Sequence, residues 1–463
     1  MNGIVFAVDV FIYRAKTMKL FLDWSDYQNA GMGDAYADIP KKGGDFAKAV
    51  AVCIGSKQCE NHNPKGVMCP SFRVTGNPHL STGGRVKLLK TALNAINDDK
   101  ALFDAQLVEA MNECVSCKGC KRECENEVDM ALIKAEYLAQ FNQTNGVPLR
   151  RKLFANLPKL VRFPALKQLV TWRNHSPFIA KMTETFLNIS AKAPLPVPAN
   201  QTLSKTEKFT QQSTDSTREV VLFVDTFNRN FNPHVVEATL NLLQKAGYQV
   251  EIASAIDGND STPLCCGRTY FSNGMITQAK NEATRLLQAL EPHIDAGRWI
   301  IGLESSCILS LRDEYLKLGL GEPAKKLAER VLLLEEFIGR EQTAKRWTLN
   351  FKLDNEKMLV HGHCHQKAVG AMKAMRKVLK TVEGLDFELI ESSCCGMAGH
   401  FGLEAEHYET SQAMAEQALF PTLRAEPKAG IIANGFSCQQ QIENGGFEKP
   451  RHIAEILYSA VSQ

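Results

Sequence analysis

The chain reads as an α/β protein in which a mostly helical N-terminal domain precedes two tandem β-α-β-α-β units, each building a parallel sheet. Three observations predict this. The fourteen cysteines of the 463 residues fall into clusters, seven before residue 140 and seven after residue 219, with none between. Helical patterns such as "GGRVKLLKTALNAI" and "DMALIKAEYLAQF" separate the first seven. The last seven sit in a repeat: the Cys-Cys-Gly at 265 returns at 394, an offset of 129, and Cys307 returns as Cys438, an offset of 131.

The elements follow in order. Residues 1–140 form the helical domain, and residues 141–218 form a basic segment that ends in a Pro/Ser/Thr-rich linker, "AKAPLPVPANQTLSKTEKFTQQSTDST". The first unit, 219–350, reads as the strand "REVVLFVDTF", the helix "PHVVEATLNLLQKAG" closed by Gly247, and the strand "YQVEIASA". "CCGRTYFSNG", the helix "TQAKNEATRLLQAL" and the strand "RWIIGLESSC" complete it. The second unit, 351–463, repeats the order as "KMLVHGHCHQ", "AMKAMRKVLKTVEG", "FELIESS", "CCGMAGHFG", "HYETSQAMAEQALF" and "AGIIANGFSC". Apolar runs joined by helical crossovers imply parallel sheets with right-handed connections, whose strand-end loops are where sites are built.

Composition narrows the class. With 44% hydrophobic and 23% charged residues the chain has the make-up of a globular protein, and a net charge of only +3 without a Lys/Arg face interleaved with aromatics argues against nucleic acid. The opening "MNGIVFAVDVFIYRAK" carries Asp9 and Arg14, is too short to span a membrane and lacks a small-residue cleavage site. A cytoplasmic location is expected, where clustered cysteines point to metal or redox chemistry rather than disulfides.

The strongest local motif is "CVSCKGCKREC". Cys114, Cys117, Cys120 and Cys124 follow C-x2-C-x2-C-x3-C, in which three close thiolates wrap one [4Fe–4S] cubane and the fourth turns to a second cluster. Structural zinc usually pairs two C-x2-C knuckles across a longer gap, so the spacing favours iron–sulfur. Glu125 departs from the bacterial pattern, which has proline there. The partner motif is "VCIGSKQCENHNPKGVMCPS". Cys53 and Cys59 stand as first and third ligands with Ser56 in the middle slot, and Cys69, before Pro70, takes the part of the fourth cysteine. The expected module is a first cluster on Cys53, Cys59 and Cys124 and a second on Cys114, Cys117, Cys120 and Cys69. The remaining ligand of the first cluster is Ser56, His62 or water, or that cluster has three irons. The bland alternative is three ordinary buried thiols.

In the repeat, each Cys-Cys-Gly follows a strand, where glycine allows a tight turn around a bound group. The second unit adds Cys364 and Cys438 to Cys394 and Cys395, a four-thiolate set for a further metal or iron–sulfur centre. In the first unit Thr226 stands in the place of Cys364 and leaves Cys265, Cys266 and Cys307, a weaker site. Vicinal disulfides or inert thiols are the alternative. His363, His365 and His400 are ligands, proton carriers or, as is commoner near a metal, hydrogen-bonding neighbours. No acid/base set can be picked out.

Together "MCPSFRVTGNPHLSTGGRVKLL", "CVSCKGCKRECENEVDMALIKAEYL", "VDTFNRNFNP", the two Cys-Cys-Gly motifs, "GHCHQKA" and "CCGMAGHFG" make residues 45–463 resemble the iron–sulfur partners of FAD-linked 2-hydroxyacid oxidoreductases. These are the glycolate oxidase iron–sulfur subunit, the anaerobic glycerol-3-phosphate dehydrogenase C subunit and the C-terminal part of single-chain FAD-linked oxidases. The resemblance implies two ferredoxin-type clusters feeding a cysteine-rich "CCG" domain similar to that of heterodisulfide reductase. It implies an FAD-containing dehydrogenase as electron donor and a quinone or other acceptor. Full CCG sites end in C-x2-C; Glu304 and Gly435 occupy its first position here, which weighs against an unusual noncubane cluster. No G-x-G-x-x-G stands between a strand and a helix, so no FAD is expected in this chain. The rival expectation is a thiol–disulfide enzyme of the heterodisulfide reductase kind.

The segment "LRRKLFANLPKLVRFPALKQLVTWRNHSPFIAK" carries eight Lys/Arg and no acid, with apolar residues at helical intervals around Pro158 and Pro164. It is expected to lie on the inner face of an anionic membrane as a peripheral contact, or to dock a partner subunit or the protein's own domains.

Overall fold

The computed structural model describes residues 18–34, 37–61, 66–95, 98, 100–200, 218–256 and 263–461. The apolar opening stretch, most of the linker and His62 lie outside them. The N-terminal part is helical, with its longest helices at Thr82–Asn94 and Met130–Asn145, the second running through the expected boundary at residue 140. Its start is held by one buried carboxylate. Glu136 on the long helix accepts the backbone N–H of Phe21 (3.1 Å) and Leu22 (2.9 Å) and the Trp24 indole N–H (3.1 Å).

The first sheet is parallel, in the order β2-β1-β3-β4, from β1 (Glu219–Phe223), β2 (Gln249–Ile252), β3 (Trp299–Gly302) and β4 (Val331–Leu333). The second, also parallel, has the order β6-β5-β7, from β5 (Phe351–Val360), β6 (Val382–Leu389) and β7 (Gly430–Ile432). Strands covered on both faces need continuous apolar runs, and "VVLF" and "WII" supply them. Strand β4 is an addition to the expected three per unit. The second unit keeps its counterpart as a single parallel bridge, Ile432 to Arg451, because Pro450 removes a ladder donor beside it. Strand β6 starts at Val382, inside what the pattern assigns to the preceding helix, because pairing with the long β5 outweighs local preference.

The two units interlock. The helix Pro233–Lys245 of the first packs on Ile453–Ser459 of the second, and Leu334–Thr343 of the first packs on Met372–Leu379 of the second. These pairs are equivalent under the repeat, so one apolar core serves both units, with Val235, Leu242, Phe337, Val378 and Ile456 buried in it. Each such side chain stabilises by about 2 kcal/mol on burial. A second core joins the N-terminal helices to the first unit through Met111, Leu138, Tyr270 and Phe271. The cysteine-bearing loops are thereby held against both sheets at their strand ends.

Four helices fill the basic segment: Leu149–Ala155, Leu157–Leu160, Pro164–His175 and Pro177–Leu187. The last three carry proline in their first turn, where a missing N–H costs nothing. Among the described residues, no helix is long and apolar enough to cross a membrane.

Candidate metal centres

The loop around Cys114 and the loop around Cys53 have one backbone design. Ser116 and Lys118 adopt left-handed φ of 49° and 60°, on either side of Cys117. Sixty-one residues earlier, Gly55 and Lys57 adopt 74° and 59°, on either side of Ser56. Each loop ends in a short helical turn, Gly119–Glu123 and Gln58–Glu60. Non-glycine residues enter this region only when the surroundings impose it, and here it curls the loop so that its cysteines face one point. Ser56 itself is exposed.

The loops meet at Cys69. Its φ of 53° is also left-handed, and Pro70 starts the helix behind it. Cys69, Cys114, Cys117 and Cys120 line one recess, closed by Met130, Thr82 and Arg85. All four are buried, and burial pushes the Cys117 thiol up to about 12 and Cys120 well above the ordinary thiol range. Ionising thiols buried this way carries a penalty that a bound metal cluster removes, and four soft sulfur donors lining one recess fit such a cluster. On its other side Cys69 is hydrogen-bonded to Cys59, whose pKa that contact draws down; the Gly83 N–H donates to the same Cys59 sulfur at 3.2 Å. Cys53 lies within electrostatic reach of Cys59 and Cys124, all three half-buried. Glu123 holds this crossing by accepting the Val67 N–H at 2.7 Å and the Met68 N–H at 3.0 Å.

A buried ionic seam ties the Cys114 loop to the first unit. Lys118 Nζ lies 2.5 Å from Asp313 and 2.7 Å from Glu314, and Lys121 Nζ 2.7 Å from Asp313 and 3.1 Å from Asp129. Arg268, directly after the first Cys-Cys-Gly, pairs with Glu314 and places Nη2 3.3 Å from His365 Nε2 in the second unit. The same His365 nitrogen lies 3.1 Å from the Ser116 carbonyl. Both lysines raise their pKa against these carboxylates, and half-buried Asp313 and buried Glu314 stay low against the lysines and Arg268.

In the second unit the thiols form a chain of contacts, Cys364 to Cys394, Cys394 to Cys395 and Cys395 to Cys438, all buried. Hydrogen bonds between neighbouring thiols, then burial and mutual repulsion, leave Cys364, Cys394 and Cys395 well above the ordinary range. Gly396 allows the turn: at φ 91° an added Cβ would lie 2.2 Å from the Ser411 carbonyl oxygen. Lys367, half-buried behind the thiols, donates to the Ser392 carbonyl (2.6 Å) and hydroxyl (3.1 Å), and its charge faces all four cysteines. Positive charge there favours an anionic thiolate centre.

The first unit repeats the chain with one member changed. Cys265, Cys266 and Cys307 are hydrogen-bonded in series, and Thr226 bonds Cys265 as Cys364 bonds Cys394. Glu304 caps the helix Ser305–Ser310 and reaches across to accept the Phe436 N–H at 2.7 Å; burial, then Asp225, push its carboxyl up to about 7. At Gly435 a side chain has no room, since a Cβ would lie 2.4 Å from His363 Cδ2.

The histidines named from sequence have other partners. His363 caps the helix Cys364–Ala368 by accepting the His365 N–H at 3.2 Å, and His400 stacks on Phe154 and lies 3.0 Å from Asn273 Oδ1. Sequence reasoning missed His361, whose Nε2 is buried without a hydrogen-bond partner and which forms one group with Cys395 and Cys438, their ligand atoms within 4.8 Å of one another. It also missed Lys367 and the seam. The signal for His361 was present in "HGHCHQ", but strand-end position alone does not separate it from its neighbours.

The centres adjoin. Cys117, from the N-terminal recess, shares one apolar cluster with Cys364 and Cys394, sealed by Val67, Val115, Phe401 and Met414. The Ser393 hydroxyl donates to the Val67 carbonyl at 2.8 Å across this contact. Residues 49–128 match the family model of the 4Fe-4S dicluster domain, and residues 358–443 match that of the cysteine-rich CCG domain. The first match spans all seven N-terminal cysteines and the second spans Cys364, Cys394, Cys395 and Cys438, so the chain is similar to iron–sulfur and CCG proteins in those two regions. It is similar to the D-2-hydroxyglutarate dehydrogenase of Escherichia coli (strain K12), 23% identical over 459 residues covering 88% of this chain and 43% of that one. It is similar to the C subunit of the anaerobic glycerol-3-phosphate dehydrogenase of the same organism, 25% identical over 53% of this chain and 59% of that one. It also resembles lactate utilization protein A of Bacillus subtilis (strain 168), 26% identical over 52% of this chain and 99% of that one. The chain thus spans less than half the length of the D-2-hydroxyglutarate dehydrogenases it matches.

The basic segment divides its charges. Arg150 pairs with Glu404 and Glu406, Arg151 donates to Asn112 Oδ1 at 2.6 Å, and buried Arg173 donates to the Ala193 carbonyl at 2.7 Å. Those three serve the protein's own packing. Phe163, just before the third helix, and Leu169, Trp172, Phe178, Met182 and Phe186 on the last two helices are exposed, with Phe178, Met182 and Phe186 four residues apart on one face.

Proposed function

We propose that this chain is the electron-transfer part of an oxidoreductase. It receives electrons from a flavin-dependent dehydrogenase acting on a 2-hydroxy acid of the glycolate, lactate or 2-hydroxyglutarate kind, or on glycerol 3-phosphate. It passes them to a quinone or another acceptor. Cys53, Cys59 and Cys124 hold one [4Fe–4S] or [3Fe–4S] cluster, Cys69, Cys114, Cys117 and Cys120 a second [4Fe–4S] cluster, and the CCG cysteines a further centre. When bound, these groups supply one-electron carriers whose potentials follow ligand type, burial and hydrogen bonds to sulfur. The observation that carries the reading is that Cys117 shares one buried apolar cluster with Cys364 and Cys394 and lies within electrostatic reach of both, so that the N-terminal recess adjoins the second unit's thiols. The seam of Lys118, Lys121 and Arg268 keeps that spacing fixed.

The exposed apolar stripe favours a peripheral site on an anionic membrane, where aromatic side chains enter the headgroup region beside Lys152, Lys167 and Lys181. That contact would bring the acceptor end to a quinone pool. The functional units under this reading are 1–140, 141–218, 219–350 and 351–463.

Anaerobically reconstituted protein reduced by photoreduced deazaflavin and reoxidised by a water-soluble quinone tests the reading. Reversible bleaching and recovery of the cluster signals is expected. Irreversible reduction, or rapid turnover of a disulfide substrate in place of quinone, would overturn it, the latter in favour of a thiol–disulfide enzyme.

A further inference from the structure

The geometry points to His361 as a metal ligand: its Nε2, with the thiolates of Cys395 and Cys438, surrounds one thiophilic, redox-active divalent cation, ferrous iron, in the second unit. This rests on the reading of the second unit as a metal centre and names the donor that distinguishes it. The ligand atoms of the three residues lie within 4.8 Å of one another, and all three residues are buried. Metal–ligand bonds of about 2.0 Å to nitrogen and about 2.3 Å to sulfur bring such atoms around a single ion with a small contraction. The imidazole is already aimed. His361 is 1% exposed, its Nδ1 lies 3.1 Å from the Ser392 hydroxyl, and its Nε2 has no partner. Ser392 is itself held by Lys367 through both its carbonyl and its hydroxyl. A histidine whose far nitrogen is fixed by a hydrogen bond presents its near nitrogen as a ligand. A buried ring nitrogen with nothing to bond is otherwise costly.

The first unit supplies an internal comparison. With Thr226 matched to Cys364, an offset of 138, Phe223 matches His361. The unit that lacks the Cys364 thiolate therefore lacks the imidazole too, as expected if the two belong to one ligand set. Gly435, where a longer cysteine set would place another thiolate, is closed by the His363 ring. His361 supplies the additional donor from the end of the neighbouring parallel strand, leaving the fourth position to Cys394 or Cys364.

Cobalt(II) is the probe, because tetrahedral cobalt has d–d bands at longer wavelength than iron–sulfur absorption. The full chain, with its N-terminal clusters built and the second unit stripped of metal, is titrated with cobalt as wild type, His361→Phe, His361→Cys and Cys395→Ser. Phenylalanine already occupies the equivalent place in the first unit, so His361→Phe is expected to fold. One equivalent of tetrahedral cobalt is expected in wild type, at least ten-fold weaker binding in His361→Phe, and restored binding with bands shifted to longer wavelength in His361→Cys. Bands and affinity unchanged in His361→Phe, while Cys395→Ser loses them, would overturn the assignment of His361 alone. No cobalt bands in wild type, and no change in any variant, would overturn the parent reading of a metal centre in the second unit.

Discussion

Replacing Lys118 by methionine perturbs the joint between the N-terminal recess and the first unit. The seam holds three cations, Lys118, Lys121 and Arg268, against three anions, Asp129, Asp313 and Glu314. The Lys118 and Glu314 side chains are each 6% exposed, so water cannot compensate for a lost partner. At 2.7 Å and an effective dielectric of about 20 the pair attracts by roughly 6 kcal/mol, most of it offset by desolvation. Removing one partner of a buried pair typically costs about 3–5 kcal/mol. Lys121 stays beside Asp313, which points to the lower end, about 3 kcal/mol. For a domain-sized transition that is a fall in Tm of roughly 6–12 °C. Differential scanning calorimetry of Lys118→Met, Lys118→Met/Glu314→Gln and a surface control, Lys380→Met, measures it. The double variant leaves two charges of each sign and should recover more than half of the loss; the control should change by less than about 0.5 kcal/mol. A single variant within 1–2 °C (roughly the control's range) of wild type, or a double variant no better than the single, would refute the reasoning.

Other predictions follow from the same geometry. Gly396→Ala forces a Cβ against the Ser411 carbonyl at positive φ, and should cost at least about 2 kcal/mol and lower metal content in the second unit, read by calorimetry and elemental analysis. His452, buried with Nε2 3.3 Å from the Leu303 carbonyl, has its pKa lowered to about 4 by burial. Its folded pKa lies below the unfolded value of about 6.5, so stability is full above that pH and falls by about 3 kcal/mol as pH drops toward 4. His452→Gln should flatten that part of a urea-unfolding profile; an unchanged slope would count against it. Ser56→Cys should alter the EPR signal of the Cys53 cluster and leave that of the Cys114 cluster unchanged, because the backbone on both sides of Ser56 repeats that around Cys117.

What could be read without coordinates was whatever local chemistry dictates. C-x2-C-x2-C-x3-C marks a cluster loop because a cubane needs thiolates at that reach. The match of Thr226 to Cys364 followed from the repeat, and the two side chains do make equivalent contacts. Strand β4 was illegible because "VLLLEEF" runs straight into a helix and only pairing with β3 makes its first three residues a strand. The Lys118–Asp313 contact spans 195 residues, so no local pattern announces it. The basic segment reads as uniformly cationic, and only the fold separates buried Arg173 from the solvent-facing lysines. His361 sits in a run of three alternating histidines, and burial against two thiols is what singles it out.

Iron and acid-labile sulfide analysis with EPR, on protein purified anaerobically, tests the two-cluster module most directly. Two cubanes give about eight irons per chain, or about seven if the Cys53 site is a three-iron cluster, with two magnetically coupled reduced signals. A metal ion in the second unit adds at most one more. Fewer than about four irons, or a single uncoupled signal, would rule out the two-cluster module.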